Sequence, residues 1–328
     1  MPRTPAPTTP AQGTMTSQAL TAVVRSAAAA RFPSLDLDGL DRFDKVSLLE
    51  AVAEAAGWPA VVALGRELRA LEQQPVIRAL LQTPEPEAIV ERWLRLERFG
   101  HSRNRTELLA CERSGELVRL TLRHVAVDGG AIVAVNDLFV WGLFVALMES
   151  AGFEDIEAAL PTADAAAPFV VHGPSPAPRD AALPSDTHTL ALQLRAPAQP
   201  LPIEVANDES APDAAHARLA ALLRRDLLAS WTVQDAARAL GMSARSLQRA
   251  LQGEGTRFSK VVHQTRVDAA QTLLTSTPLE LSEIAFCVGF ADQAHFARTF
   301  RSLCDVPPSA YREVAAATTG VEARGGPR

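Results

Sequence analysis

The sequence contains few cysteines, and none of them shows a pattern typical of a structural or catalytic site. Its 328 residues include Cys111, Cys287 and Cys304, which lie far apart in apolar settings without a CxxC motif or a histidine at metal-ligand spacing. Disulfide frameworks and zinc sites both need such ligands at characteristic separations. Neither is therefore indicated, and we expect three ordinary core thiols, no metal and no cofactor.

Long apolar runs are also missing. The most apolar stretch, "LFVWGLFVALM" at Leu138–Met148, is about half as long as the ~20 residues that a membrane span requires. It predicts a buried helix. The N-terminus is rich in Pro and Thr and has neither the basic start nor the apolar region of a signal peptide. We therefore expect a cytoplasmic protein that does not contact a membrane.

Recognisable catalytic motifs are absent as well. No GxSxG, P-loop or HExxH sequence occurs, and no cysteine or histidine has the local context of an activated nucleophile. A DNA-repair alkyltransferase would need clustered cysteine ligands, which are missing. We predict no catalytic residues, so an enzyme is the least favoured of the functions considered.

The charge is slightly acidic overall and unevenly distributed. A net charge of −6 argues against a protein that coats nucleic acid by bulk electrostatics. From Asp213 to Ala316, however, 12 basic residues stand against 10 acidic ones. This segment is the less acidic part of the chain.

The first part of the chain mixes helical and strand patterns. Helical periodicity runs through several segments such as "KVSLLEAVAEAAG". Alternation then replaces it after the turn "RSGE", where one strand face carries Val118, Leu120, Leu122 and His124. A hairpin, an apolar helix over Asn136–Ser150 and two short strands, "PFVVHG" and "HTLALQLR", predict an α+β domain.

Composition divides the chain into five segments, because a Pro-rich and then acidic stretch separates the α+β part from an entirely helical one. The predicted segments are a flexible tail at 1–17, an α+β domain at 18–198, a linker at 199–212, an all-α domain at 213–316 and a disordered tail at 317–328.

Two segments of the helical part share one pattern. In "TVQDAARALGMSARSLQRAL" a short helix, a turn at Gly241 and a second helix started by Ser243 outline a helix-turn-helix. In "LSEIAFCVGFADQAHFARTF" Ser282 is predicted to start the short helix and Gly289 marks the turn. The aromatic residues of this second unit are predicted to form its core: Phe290, Phe296 and Phe300.

A long predicted helix, from about Phe258 to Ser276, joins the two units. About 18 residues at 1.5 Å each span roughly 27 Å. Two second helices held at such a distance could enter successive major grooves on one face of DNA, which repeat about every 34 Å. A single helix rich in Arg and Gln is more often a solvated surface, but two tandem units with matching turns favour DNA binding.

This region resembles the DNA-binding domain of AraC/XylS-type transcription regulators, from near Ala214 to Glu313. "LGMSARSLQRAL" is similar to the first recognition unit, "RVDAAQTLL" to the linker helix, and "EIAFCVGFADQAHFARTFRSLCDVPPSAYR" to the second half. The chain departs from the family at Ala291, where a capping serine is frequent, and at Asp305, where glycine is commonest. Ala294 stands at a reading position that is frequently polar.

The resemblance implies that the partner is double-stranded promoter DNA, with a homodimer expected and RNA polymerase as a further partner of an activator. Arginine suits guanine edges or phosphates, and glutamine amides suit adenine. The predicted DNA-binding positions are Ala244, Arg245, Gln248, Arg249, Gln293, Ala294, Ala297 and Arg298.

The first domain resembles the arabinose-binding-like effector domain that precedes this module in many family members, on the stretch "RLERFGHSRNRTELLACERSGELVRLTLRHVAVDGG". The resemblance implies small-molecule sensing or dimerisation. Within it, His101, Arg103 and Arg105 lie beside the hairpin, close in sequence to His124, and could hold an anionic effector through bidentate arginine contacts. The alternatives are a polar loop with surface arginines, and a first domain that only dimerises or binds another protein.

Overall fold

The computed structural model describes residues 15–35, 37, 44–99, 104–164, 167–196 and 214–322. Helices alone form its first part. Asp44 starts the second of them by accepting the Ser47 backbone N–H at 3.1 Å. The elements are α1 (Met15–Arg31), α2 (Lys45–Ala56), α3 (Trp58–Gly65), a 3-10 helix (Arg66–Leu71), α4 (Pro75–Leu81) and α5 (Pro86–Phe99).

An antiparallel five-stranded sheet follows these helices and confirms the α+β prediction. Its strand order is β1-β2-β5-β3-β4, and all its pairs are antiparallel. The predicted hairpin is β1 and β2, and the two predicted short strands are β4 and β5. The bounds are β1 (Asn104–Ser114), β2 (Leu117–Ala126), α6 (Ala134–Ser150), β3 (Glu154–Leu160), β4 (Phe169–His172) and β5 (Thr189–Arg195).

The apolar helix α6 is the centre of this region. Its side chains from Asp137 to Met148 are all buried, as expected for a helix that is apolar on every face. It crosses α3 where Gly65 and Gly142 come close together. A β carbon on Gly65 would lie 2.2 Å from the Phe139 carbonyl oxygen, and a β carbon on Gly142 would lie 2.2 Å from the Val62 carbonyl oxygen. The inward-facing leucines of β2 and β5 are buried in the same core.

The rest of the described chain is helical. It folds around two apolar clusters, one within the first half of this region and one that continues into the core of the N-terminal region. The helices are α7 (Ala215–Arg225), α8 (Val233–Ala239), α9 (Ala244–Gly253), α10 (Phe258–Ser276), α11 (Leu281–Cys287), α12 (Gln293–Cys304) and α13 (Pro308–Glu322).

Several expectations need correction. The helix α1 begins at Met15 and α13 continues to Glu322, so helical residues extend into the segments predicted as tails at 1–17 and 317–328. Strand β3 was not predicted. Cys111 is exposed on strand β1, at the edge of the sheet, and is no core thiol, whereas Cys287 is buried. The linker at 199–212 lies outside the described residues, and the domain boundaries stay a prediction.

None of the described helices is long and apolar enough to cross a membrane.

Candidate DNA-binding site

The first helix-turn-helix unit is built by local capping. The Thr232 hydroxyl accepts the Asp235 N–H at 3.1 Å and starts α8. Gly241 adopts a φ of 68° in the turn, a left-handed conformation that favours glycine. Ser243 then accepts the Ser246 N–H at 3.1 Å and starts α9. The unit therefore follows the predicted pattern of caps and turn.

The orientation of α9 is fixed by the two leucines on its inner face. Leu247 and Leu251 are fully buried against Ala236 and Ala237 of α8, whose small side chains permit a close crossing. The opposite face of α9 is left in solvent. It carries the predicted positions Arg245, Gln248 and Arg249, which are exposed, and Ala244, which is half-buried.

The second unit begins differently from the prediction. Glu280, not Ser282, is the N-cap of α11, and it forms a capping box in which the Glu283 carboxylate accepts the Glu280 N–H at 2.9 Å. A carboxylate in this position satisfies the free N–H groups of the first turn as a serine would. Ser282 is simply the second residue of the helix.

The turn and the second helix of this unit match the first. Gly289 adopts a φ of 86°, and Asp292 accepts the His295 N–H at 2.7 Å to start α12. Asp292 thus provides the cap that Ala291 cannot. At the other end of α12, Asp305 takes the left-handed conformation, with a φ of 61°, in which glycine is commonest.

The aromatic residues of the second unit form its core, as predicted. Phe290, Phe296 and Phe300 are fully buried, with ring centroids 5.4 and 5.7 Å apart along the series. The outer face of α12 carries the remaining predicted positions. Gln293, Ala294 and Arg298 are exposed, and Ala297 is half-buried.

Positive charge on the two outer faces is available to a partner. No salt bridge to another described residue engages Arg245, Arg249 or Arg298. Beside α9, a groove of about 370 Å³ runs past Gln248 and Gln252 to Arg257. Arginines of this kind can contact phosphates or the edges of guanine.

The 19-residue helix α10 lies between the two units along the chain. At 1.5 Å per residue it is about 28 Å long. It packs through Val267, Ala270 and Leu274, which are buried in the apolar cluster that continues into the N-terminal region; we call the part of this cluster formed by α10, α11 and α12 the second core. Arg266 of the same helix donates to the Leu227 carbonyl oxygen at 3.3 Å. Its role as a spacer between two recognition helices stays a prediction.

The structure describes two of the four predicted effector residues, Arg105 and His124, and they have different partners. Arg105 donates to the Glu97 carbonyl oxygen at the C-terminal end of α5. His124 is buried and points towards α6. His101 and Arg103 lie outside the described residues.

A different polar cluster surrounds His124. Asp137 of α6 is fully buried, and its carboxylate contacts His124 Nδ1 at 2.8 Å, His188 Nδ1 at 2.7 Å and the Thr187 hydroxyl at 2.7 Å. A carboxylate oxygen accepts hydrogen bonds, so the Thr187 hydroxyl donates to it, as does each imidazole in the tautomer that carries its proton on Nδ1. Neither Asp137 nor His188 was predicted, because Asp137 lies on a strongly apolar helix and His188 is 51 positions from it along the chain.

Both histidines line an open cleft of about 480 Å³ at the end of β2 and β5. Arg123, Ile132 and Ser185 also contribute to its walls. Among the described residues, no group of three or more metal-binding side chains occurs there or elsewhere. The cleft therefore offers hydrogen-bonding nitrogens and apolar surface to an organic molecule.

The two tandem units place the chain among helix-turn-helix proteins, and comparison with known proteins agrees. Residues 236–313 match a family model described as a helix-turn-helix domain. The C-terminal region of this chain is a helix-turn-helix domain of the AraC type.

Two curated relatives are similar to about a quarter of this chain. The transcriptional activator NphR of a Rhodococcus species is 38% identical over 82 residues, which are 25% of this chain and 24% of the relative. The ornithine utilization regulator of Pseudomonas aeruginosa is 43% identical over 81 residues, again 25% and 24%. The chain thus spans about a quarter of the length of these relatives.

A solved structure is similar to about a third of this chain. It is a transcriptional regulator with an AraC-type DNA-binding domain from Chromobacterium violaceum, 27% identical, with a TM-score of 0.30 and coverage of 31% of this chain and 92% of that one.

Proposed function

We propose that this protein is a sequence-specific DNA-binding transcription regulator of the AraC/XylS type, in which α9 and α12 read successive major grooves. The observation that carries this proposal is the repetition of one arrangement. Each unit has a capped short helix, a left-handed glycine turn and a capped second helix whose outer face is exposed and carries Arg and Gln.

Each exposed side chain suits a particular contact. Arg245, Arg249 and Arg298 can bind guanine edges or anchor phosphates, and Gln248 and Gln293 can pair with adenine. The alanines at 244, 294 and 297 offer only apolar contact, such as that with a thymine methyl group. Because Ala294 cannot hydrogen-bond through its side chain, α9 provides most of the sequence discrimination.

The N-terminal region regulates this activity by binding a small molecule in the cleft of His124 and His188. Its buried cluster supports this role, because Asp137 contacts Nδ1 of both imidazole rings and so fixes their orientation at the wall of the cleft. With Nδ1 engaged by the carboxylate, Nε2 of each ring is left for other hydrogen bonds. A small organic acid could hydrogen-bond to a ring there through its carboxyl or hydroxyl group.

The other partners follow from the class of regulator. We expect the N-terminal region to form a homodimer and, in an activator, the DNA-bound protein to contact RNA polymerase. A second candidate function keeps the DNA-binding role but limits the N-terminal region to dimerisation or to binding another protein, because strand β1 leaves one edge of the sheet unpaired within the described chain.

Selection from random-sequence DNA tests the DNA-binding proposal. The full chain should enrich two short sequence boxes about 10 to 10.5 base pairs apart, centre to centre. The double variant Arg245→Ala/Arg249→Ala should lose the box read by α9 and keep the other. No enrichment by the unmodified chain would refute sequence-specific binding.

Thermal unfolding with a panel of small organic acids tests the regulatory proposal. A ligand present at 100 times its Kd stabilises the folded protein by about 2.7 kcal/mol. The stabilisation should disappear in His188→Ala. If no compound stabilises the protein and it is a stable dimer, the second candidate function is favoured.

A further inference from the structure

The helix α5 of the N-terminal region contacts the start of the first helix-turn-helix unit. The side chain of Arg92 is only 9% exposed and forms a salt bridge with Asp226, which is 17% exposed and ends α7. The other carboxylate oxygen of Asp226 accepts the backbone N–H groups of Leu228 and Ala229, each at 3.1 Å. Arg92 is therefore attached to the loop that leads into α8.

The same face of α5 contacts the turn of the second unit. Arg95 donates to the carbonyl oxygen of Phe290, between the turn glycine and α12. Its guanidinium also lies 6.0 Å from the ring of Phe286 in α11, and Phe99 packs edge-on against that ring at 5.9 Å. Residues 92, 95 and 99 follow helical spacing, so one stripe of α5 makes all these contacts.

The loop that leads into α8 also meets the turn of the second unit at this point. The α carbon of Gly289 lies against the carbonyl oxygen of Leu227, which also accepts from Arg266. We call this contact, with its neighbours Asp226 and Phe290, the seam. Helix α5 lies across the seam and contacts both of its sides.

We propose that α5 holds the two units in the mutual orientation that reads both boxes of a DNA site, and that the N-terminal region regulates DNA binding by docking or releasing α5. This inference rests on the proposed function. Docking is compatible with DNA, because Arg245, Arg249, Gln293 and Arg298 are all exposed while α5 is in place. The docked state is therefore the DNA-binding state.

The opposite side of α5 connects to the cleft. The Glu97 carboxylate accepts the Thr106 N–H at 2.7 Å and its hydroxyl at 2.9 Å. Thr106 of β1 stands opposite His124 of β2 in the strand register, and His124 lines the cleft. A molecule bound against His124 is thus separated from α5 by a single strand pair.

Repulsion within the docked surface favours a reversible contact. Burial lowers the pKa of Arg95 to about 10, and the charges of Arg266, Arg98 and Arg92 act in the same direction. Docking therefore brings several positive charges together at partly desolvated positions, and their repulsion offsets part of the attraction between α5 and the seam. A modest change at the cleft can then shift the equilibrium between the docked and released positions of α5.

Substitution of Arg95 tests the proposal in the full chain. Arg95→Ala should weaken binding to a DNA with both boxes by about fivefold or more, the lower limit of typical allosteric coupling. Binding to a DNA with only the α9 box should change less than twofold. Arg98→Ala is the matched control: it removes the same charge from the same helix at an exposed position. Because it can only relieve repulsion of Arg95, it should weaken binding to neither DNA.

Asp226→Asn provides a second, independent variant. It removes the charge that pairs with Arg92 but keeps an oxygen for the Leu228 and Ala229 N–H groups, so the loop before α8 should persist. We expect the same selective loss on the two-box DNA. The thermal unfolding midpoint should fall, because Arg92 loses its charged partner at a buried position, so unchanged binding to the one-box DNA is the check that α9 stays folded.

Three outcomes would overturn the inference. If Arg95→Ala and Asp226→Asn bind both DNAs as Arg98→Ala does, α5 does not control binding. If they bind the two-box DNA more tightly, docking inhibits and our assignment is reversed. If the unmodified chain selects no two-box DNA, the proposed function itself fails, and this inference with it.

Discussion

A β carbon added to Gly289 would lie 2.0 Å from the carbonyl oxygen of Leu227. No side chain therefore fits at this point of the seam, and the φ of 86° adds a second requirement for glycine. Its counterpart in the first unit, Gly241, has a similar φ of 68° but no atom within 4 Å of such a β carbon. The two turns thus differ only in whether another part of the chain touches them.

Alanine substitutions at Gly241 and Gly289 can therefore separate two contributions to the free energy of unfolding. One is the cost of a left-handed backbone, and the other is the cost of a steric clash. Gly241→Ala should destabilise the protein by about 1–2 kcal/mol, the cost of a left-handed residue with a β carbon. Gly289→Ala should lose about 1–3 kcal/mol more, because the added carbon also overpacks the seam. Urea denaturation measures the difference between the free energies of unfolding of the two variants. Equal losses would show that the contact with Leu227 relaxes freely.

The second core depends on its aromatic series. Phe296 is fully buried between Phe290 and Phe300, so Phe296→Ala should lower the free energy of unfolding by about 3–5 kcal/mol. Arg298→Ala, two residues further along α12 and exposed, should stay within about 0.5 kcal/mol of the unmodified chain. Chemical denaturation distinguishes them, and a small loss for Phe296→Ala would mean that the faces of α12 are wrongly assigned.

Local signals explain why the helix-turn-helix units could be predicted from the sequence. A cap such as Thr232 or Ser243, a glycine in the turn and leucines at helical spacing act within a few residues of each other. The one error of this kind, Ser282 in place of Glu280, arose because glutamate is a rarer N-cap than serine.

The seam and the cleft could not be predicted, because they depend on residues far apart in the chain. Arg92 and Asp226 are 134 positions apart, and His188 is 51 positions from Asp137. A lone arginine on an amphipathic helix predicts a solvated side chain, which is the usual outcome. Strand β3 was missed for a related reason: "EDIEAAL" is short and acidic, and it becomes a strand through pairing with β5.

Arg249 offers a direct test of base reading. Arg249→Ala should weaken binding to the selected DNA by about 1–3 kcal/mol if the guanidinium contacts a base, with a much smaller effect on unrelated DNA. Arg238→Ala serves as the control, because this arginine is 80% exposed on α8, outside the predicted reading face. Fluorescence anisotropy titrations give both affinities. An equal loss on all DNA would make Arg249 a phosphate anchor.

The second unit should also respond to pH through His263. Its ring stacks on Phe290 and meets His295 edge-on, with centroids 6.5 and 5.8 Å apart. Partial burial lowers the pKa of His263 from 6.5, and the nearby charges of His295, Arg266 and Arg257 lower it further. The pKa of His263 is therefore lower in the folded protein than in the unfolded chain. As the pH drops through 6.5, the unfolded chain binds a proton more readily than the folded protein, so stability falls.

His263→Gln removes this titration while keeping a polar side chain of similar length. Urea midpoints of the unmodified chain and the variant should be compared at pH 7.5 and 5.5. Groups that do not face His263 titrate equally in both proteins, so the difference between the two profiles reports on His263 together with its neighbour His295. We expect the unmodified chain to lose more stability than the variant on acidification. Parallel profiles would show that His263 is protonated as easily in the folded protein as in the unfolded chain.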